Sequence, residues 1–278
     1  MDIQSPSLAI LLSNGSSNPL FGAMQNKPVV PAKATHTSMA AKQMEERQEL
    51  ESRHGIDRKM EAFKTAAANA KTLEEALADP TIHKALTDVY EIKILSANAN
   101  RFADVAASDP EKPGSAVLQS GDRGLIKLAQ DLSKSSDGLA FLQDPEYQQS
   151  IKDILVSIEF EEKAATSNPA AGNAFYFERQ SLTIESGMDI LASARIRDVV
   201  YGALKIPNSM KSRPIAEQQA ALDAKLNYDD FQDAGYVRDL ATKYLDNTDI
   251  ASPIQKPNAM SILYGGGSGT GAIFNLLS

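Results

Sequence analysis

Residues 142–165 read LQDPEYQQSIKDILVSIEFEEKAA. Asp144 followed by Pro145 is a helix start: the carboxylate can accept from free N–H groups of the first turn, and proline at the first helical position lacks a donor that would otherwise go unpaired. Leu142, two residues before the cap, and Tyr147, three after it, can pack across that turn like a hydrophobic staple, with Ile151 next on the same face. The same device stands at three other places. Asp79-Pro80 is flanked by Leu77, Ile82 and Leu86, Ser193 by Leu191, Ile196 and Val200, and Asp233 by Phe231, Tyr236 and Leu240. Thr72-Leu-Glu-Glu75 adds a capping box. The starts are unevenly spaced, which excludes a solenoid.

Outward from these starts, the pattern predicts helices near 81–106, 123–134, 145–165, 173–183, 194–205, 214–226 and 235–246. Asp109-Pro110, Lys112-Pro113-Gly114, Asp137-Gly138, Asn168-Pro169 and Ile206-Pro207-Asn208 punctuate the chain between them. No segment alternates apolar and polar residues between turns, so residues 72–248 are expected to form an all-α, multihelical bundle. Upstream, 39–54 is charged on nearly every face and reads as a solvated or partner-facing helix. Ile56, Met60, Phe63, Ala67 and Ala70 then form an apolar stripe, giving a charged-then-amphipathic lead-in over 39–71.

Both ends differ from this body. Residues 1–38 contain a single acid, Asp2, and are rich in Ser, Asn, Pro and Ala, while 249–278 carry Pro253, Pro257 and a glycine tract from Gly265 to Gly271. Both read as disordered tails with apolar patches that cannot bury themselves and therefore suit docking on another protein. The patch residues are Leu8, Ile10, Leu11 and Leu12 at one end, and Ile262, Leu263, Ile273, Phe274, Leu276 and Leu277 at the other. Within the body, Phe175-Tyr176-Phe177-Glu178-Arg179 is the densest aromatic site, a packing element whose functional reading is an interface anchor through Phe175, Phe177 and Arg179.

Composition narrows the chemistry. The chain has 278 residues and no Cys, which removes disulfides, thiolate catalysis and Cys-based metal sites. A formal charge of −8 argues against gripping nucleic-acid backbones, and no apolar run is long enough for a membrane span. Gly267-Ser-Gly269-Thr-Gly271-Ala272 fits the loose form of a dinucleotide fingerprint but lacks the strand before it and the full helix after it. His36, His54 and His83 show no ligand spacing. The acid runs at Glu159–Glu162 and Asp229–Asp233 lack the calcium-loop ladder and are expected to be solvated helix ends. No cofactor, metal or small-molecule substrate is expected; catalysis would need an acid pair such as Glu178 with Asp189 buried in a cleft.

Ile190-Leu191-Ala192-Ser193-Ala194-Arg195-Ile196-Arg197-Asp198-Val199-Val200, then Ala203-Leu204-Lys205-Ile206-Pro207, Gln219, Leu222, Leu226, Phe231-Gln232-Asp233, Tyr236-Val237 and Tyr244-Leu245 resemble an uncharacterised all-α family encoded in alphaproteobacterial flagellar gene clusters, domain of unknown function 1217. The resemblance covers about 175–246, and it departs at Lys205, where glycine is common in the family. It transfers no catalytic residue. It implies a non-enzymatic structural or assembly component of the flagellum, exported without a Sec signal, whose partners are other flagellar proteins or copies of itself. The alternative is a cytoplasmic chaperone or regulator of flagellar assembly that holds partner helices.

Overall fold

The computed structural model describes residues 30–251 apart from 54, 96 and 136, and over these the chain is all-α, with fifteen α-helices, three 3-10 turns and no strand. In chain order the helices are α1 (Ala32–Ala41), α2 (Gln43–Arg53), α3 (Ile56–Asn69), α4 (Leu73–Ala78), α5 (Pro80–Val89), α6 (Ala99–Ala106), α7 (Ala116–Ser120) and α8 (Arg123–Ser133). They continue as α9 (Gly138–Gln143), α10 (Pro145–Ser167), α11 (Pro169–Gln180), α12 (Gly187–Ala192), α13 (Ala194–Ala203), α14 (Ile215–Asp223) and α15 (Ala234–Ala251).

Each of the four recurrent starts is capped. Asp79 accepts from the Thr81 and Ile82 amides at 2.8 and 3.3 Å, Asp144 from Glu146 at 2.7 Å, Ser193 from Ile196 at 3.4 Å and Asp233 from Gly235 at 2.7 Å. At Thr72 the hydroxyl accepts from Glu75 N–H at 3.1 Å, but the Glu75 carboxylate reaches back to Lys71 N–H, one residue beyond the usual capping-box donor. At the last start the staple pair is in contact, with the Phe231 and Tyr236 rings edge to face at 5.6 Å.

The apolar side chains do not form a single core. One cluster gathers Ile56, Phe63, Leu77, Leu86, Phe102, Leu125 and their neighbours from α3–α10, ending at Val156. A second gathers Phe177, Val199, Val200, Tyr201, Phe231 and Leu240 from α11–α15, with Ala32 of α1. The helix α10, 23 residues long, belongs to the first cluster through Ile151, Leu155 and Val156 and then packs along α11, which carries the second. A small third cluster, Leu50, Phe160, Ala164 and Phe175, ties α2 to the far end of α10.

Three expectations shift. Residues 81–106 are two helices, because α5 ends at Val89 in a turn where Ile92 N–H reaches Thr87 C=O at 3.0 Å and Glu91 takes a left-handed φ of 55°. No Gly or Pro occurs between Tyr90 and Asn98 to announce it. The charged stretch 39–54 has its partner inside the chain: α2 lies along α10, with Lys163 paired to Glu46, Arg47 donating to Asp153 C=O at 3.2 Å and Leu50 buried. Order also begins before residue 39, since α1 starts at Ala32 and buries Ala32 and Thr35. Its first turn is capped from the other end of the chain, where Asp249 accepts from Ala32 N–H at 2.7 Å and Lys33 N–H at 3.1 Å.

Candidate functional site

A cap and a close helix approach set up a polar hub where the halves meet. Asn168 caps α11 through Ala170 N–H at 2.9 Å, turning the chain back along α10. Gly172 permits the contact, since a Cβ there would come 2.5 Å from the Ala165 Cβ. This approach brings Arg179 of α11 onto Glu161 of α10 as a two-pronged ion pair, Nε to Oε1 at 2.5 Å and Nη2 to Oε2 at 3.2 Å. Arg195, on the first turn of α13, stands 3.5 Å from the same carboxylate and is fixed by Asn173 Oδ1 at 3.1 Å and Gly172 C=O at 2.9 Å. Glu161 is only 3% exposed, so both oxygens depend on these guanidinium groups.

Glu91 enters the hub from the first half. It accepts from the Tyr176 hydroxyl at 2.5 Å and from Gln180 Nε2 at 3.0 Å, and it lies 3.6 Å from Arg179. The Tyr176 ring sits beside both cations, with the Arg195 guanidinium 4.0 Å and that of Arg179 5.3 Å from its centre. Burial pushes the Tyr176 phenol up, and the Glu91 charge adds to this, so it donates as a neutral hydroxyl. Burial also raises the Glu161 carboxyl, against the pull of Arg179 and Arg195. Desolvation works against the charge on Arg179, and Glu161 and Glu91 more than restore it. The arrangement neutralises two acids with two arginines and leaves each a defined partner. Chemically it is a clamp.

On one side of the hub a cavity of about 280 Å³ opens between α2, α10 and α11, lined by Arg47, Phe160, Phe175, Glu178 and Arg179 among others. His36 of α1 stacks on Phe175 at 4.1 Å, its Nε2 3.2 Å from Glu178 Oε1 but off the line of a hydrogen bond. On the other side a groove of about 510 Å³ runs between α3, α5 and α10, with Ile92, Leu155 and Ile158 on its floor and Lys59, Lys84, Asp88, Glu91 and Glu162 on its walls.

The expected site residues fall apart under this geometry. Phe177 belongs to the second core, edge to face with Phe231 at 6.2 Å, and Phe175 is buried against Phe160 at 4.9 Å. Neither ring presents an anchor to a partner: two residues apart, they lie on opposite faces of α11, and both faces are covered, one by the third cluster and the other by the second. Arg179 faces the hub. Glu178 and Asp189 are held apart by different partners, His36 for one and Arg123 at 2.6 Å for the other. Leu8, Ile10, Leu11, Leu12, Ile262, Leu263, Ile273, Phe274, Leu276 and Leu277 lie outside the described residues. Glu91 and Glu161 are the hub residues that the sequence did not single out; Tyr176 stands within the expected aromatic site and Arg195 within the segment of family resemblance, neither with a polar role assigned. Glu161 carried a legible signal: it stands four residues after Ser157 and three before Ala164, on the buried stripe of α10.

Residues 95–237 match the model of a family described as "Protein of unknown function (DUF1217)". The chain belongs to this family. The DUF1217 match takes in Glu161, Tyr176, Arg179 and Arg195 but stops short of Glu91. The fold is similar to the X-ray crystal structure of a protein from Agrobacterium tumefaciens solved by structural genomics, with a TM-score of 0.68 at 17% identity over 80% of this chain and 94% of that one. No curated protein matches the chain. Among the described residues no cluster of three or more His, Asp or Glu side chains could hold a metal, and no helix is long and apolar enough to cross a membrane.

Proposed function

We propose that this DUF1217 protein is a non-enzymatic structural or assembly component of the bacterial flagellum, working by protein–protein packing. One observation carries the reading: both ends of the body leave from the same place. Asp249 of α15 caps α1, Lys33 pairs with Asp246 at 2.8 Å, and beside this staple Val30 is 49% and Ile250 75% exposed. The segments that carry Leu8–Leu12 and Ile262 to Leu277 lie outside the described residues, and the points from which the chain continues into them stand side by side. Two apolar stretches delivered together reach a neighbouring subunit as one divalent contact, with avidity beyond either alone. In this reading the terminal segments order against neighbouring subunits, and the flagellar setting comes from the resemblance of residues 190–245.

The test is to probe sheared filaments and culture supernatant of the native bacterium for the full chain and for a chain lacking residues 1–29, a cut that spares α1. The full chain is expected in the filament fraction and the truncated one inside the cell. If the full chain never leaves the cytoplasm, the second reading takes over: a chaperone or regulator that holds a partner helix. The feature favouring that alternative is the groove floored by Ile92, Leu155 and Ile158 with charged walls, which suits the apolar face of an amphipathic helix.

A further inference from the structure

The two apolar clusters share no residue, and the hub that joins them is polar. From the first half, Glu91 reaches Tyr176, Gln180 and Arg179, and Arg123 of α8 reaches Asp189 of α12. Continuous packing across the seam is left to α10 and to the third cluster under α2. Polar seams between separately packed cores are where bodies move against each other.

Glu91 adds a second, independent observation. It occupies the left-handed position just past α5, with φ at 55°, and its turn has the 6→1 bond from Ile92 N–H to Thr87 C=O. Glycine fills that position without strain. A side chain kept there at a cost in backbone strain is held by what it touches, and this one touches only the other half through its named hydrogen bonds. Lys205 supplies the contrast. It sits in the same turn after α13, with φ at 53° and Ile206 N–H bonded to Tyr201 C=O at 2.8 Å, yet its side chain is exposed.

We propose that residues 56–156 and 170–245 are two cooperative units hinged on α10, and that Glu91 is the latch that holds them shut by engaging Tyr176, Gln180 and Arg179. Opening the latch frees the halves to reorient while each keeps its own core. This stands apart from where the protein works, since it concerns the body alone.

Because the chain has no Cys, labels can be placed cleanly at Lys112→Cys in the first half and Lys225→Cys in the second, both exposed positions. Pulsed electron spin resonance on the doubly labelled full chain should give one narrow distance distribution, kept in Lys205→Gly. Glu91→Gln and Glu91→Ala should add a second population. In parallel, hydrogen exchange should run roughly tenfold faster in residues 90–98 and around Gln180 in Glu91→Gln, the loss of a charge-assisted hydrogen bond. Amides of Leu125 and Leu128, and of Val199 and Val200, should keep their protection. An unchanged distance distribution in both latch variants overturns the proposal. So does loss of protection in both cores together, which would make the body one cooperative unit, and that result would also register a variant that simply unfolds. Export of the protein is untouched by either result, so this proposal and the flagellar reading fail separately.

Discussion

The matched turns at Lys205 and Glu91 allow a single backbone change to be read with and without a side-chain role. Replacing Lys205 with glycine removes a left-handed non-glycine residue, whose conformational cost is about 1–2 kcal/mol. Glycine also loosens the unfolded chain, which offsets about 0.4–1 kcal/mol of that gain. The Lys205 side chain is exposed and no partner opposes its loss, so the net expectation is stabilisation of about 0.5–1 kcal/mol. For a body of this size that is an upward shift in melting midpoint of roughly 1–4 °C. Glu91→Gly gains the same backbone relief. It also strips the Gln180 amide of its acceptor in a half-buried site, at about 1–3 kcal/mol, and leaves the Tyr176 hydroxyl only the longer contact to Ser193 Oγ at 3.3 Å, at about 0.5–1.5 kcal/mol. The net expectation there is destabilisation of roughly 1–4 kcal/mol, opposite in sign to its twin. Thermal unfolding followed by circular dichroism at 222 nm, with urea titration to fix the free energies, reads both. If Glu91→Gly raises the midpoint as Lys205→Gly does, the carboxylate contributes nothing across the seam and the clamp reasoning is refuted.

Further outcomes follow from the same contacts. Glu161→Ala leaves Arg179 buried without its main counter-ion and should cost about 3–5 kcal/mol in urea unfolding, while Glu161→Leu with Arg179→Met should recover most of it. Asp249→Ala should remove the cap on α1, a loss of about 1 kcal/mol confined to that helix, read as faster exchange at the amides of α1 with the two cores unchanged. Asp189 loses solvent, yet the Ser186 hydroxyl, Arg123 and the Glu185 amide hold its carboxyl below the usual range. A depressed folded pKa contributes stability that is present above the unfolded value near 3.9 and lost as pH falls through the folded one. Asp189→Asn should therefore flatten the fall in stability below about pH 4.

Fold class was legible because the helix starts are written in local chemistry. An Asp or Ser cap with apolar residues on either side of it specifies a first turn wherever it occurs, and Asp79, Asp144, Ser193 and Asp233 all form those bonds. What no local rule carries is the break after Val89, where the turn is closed by a glutamate held from another helix. Nor does one carry α1, whose Ala, Thr and Ser residues show no stripe and whose cap, Asp249, lies 217 residues away. Helices whose ends are satisfied from a distance look like tails to any local reading.

The hub was illegible for a related reason. A glutamate in a charged run is most often solvated, and Glu159–Glu162 was expected to be so; helical phase alone separates Glu161 from its neighbours. Its burial becomes tolerable only because Arg179 and Arg195 arrive from two later helices, Arg195 having entered with the Ser193 start. Lys205 makes the complementary case. The family resemblance marks it as a place where glycine is common, and the left-handed backbone explains why: the turn after α13 needs that conformation whichever residue supplies it. At Glu91 the same backbone demand is met by a residue whose carboxylate joins two cores. A departure from local preference is thus uninformative when the side chain points to water and points to a role when it reaches a partner, so the two positions must be tested as a pair.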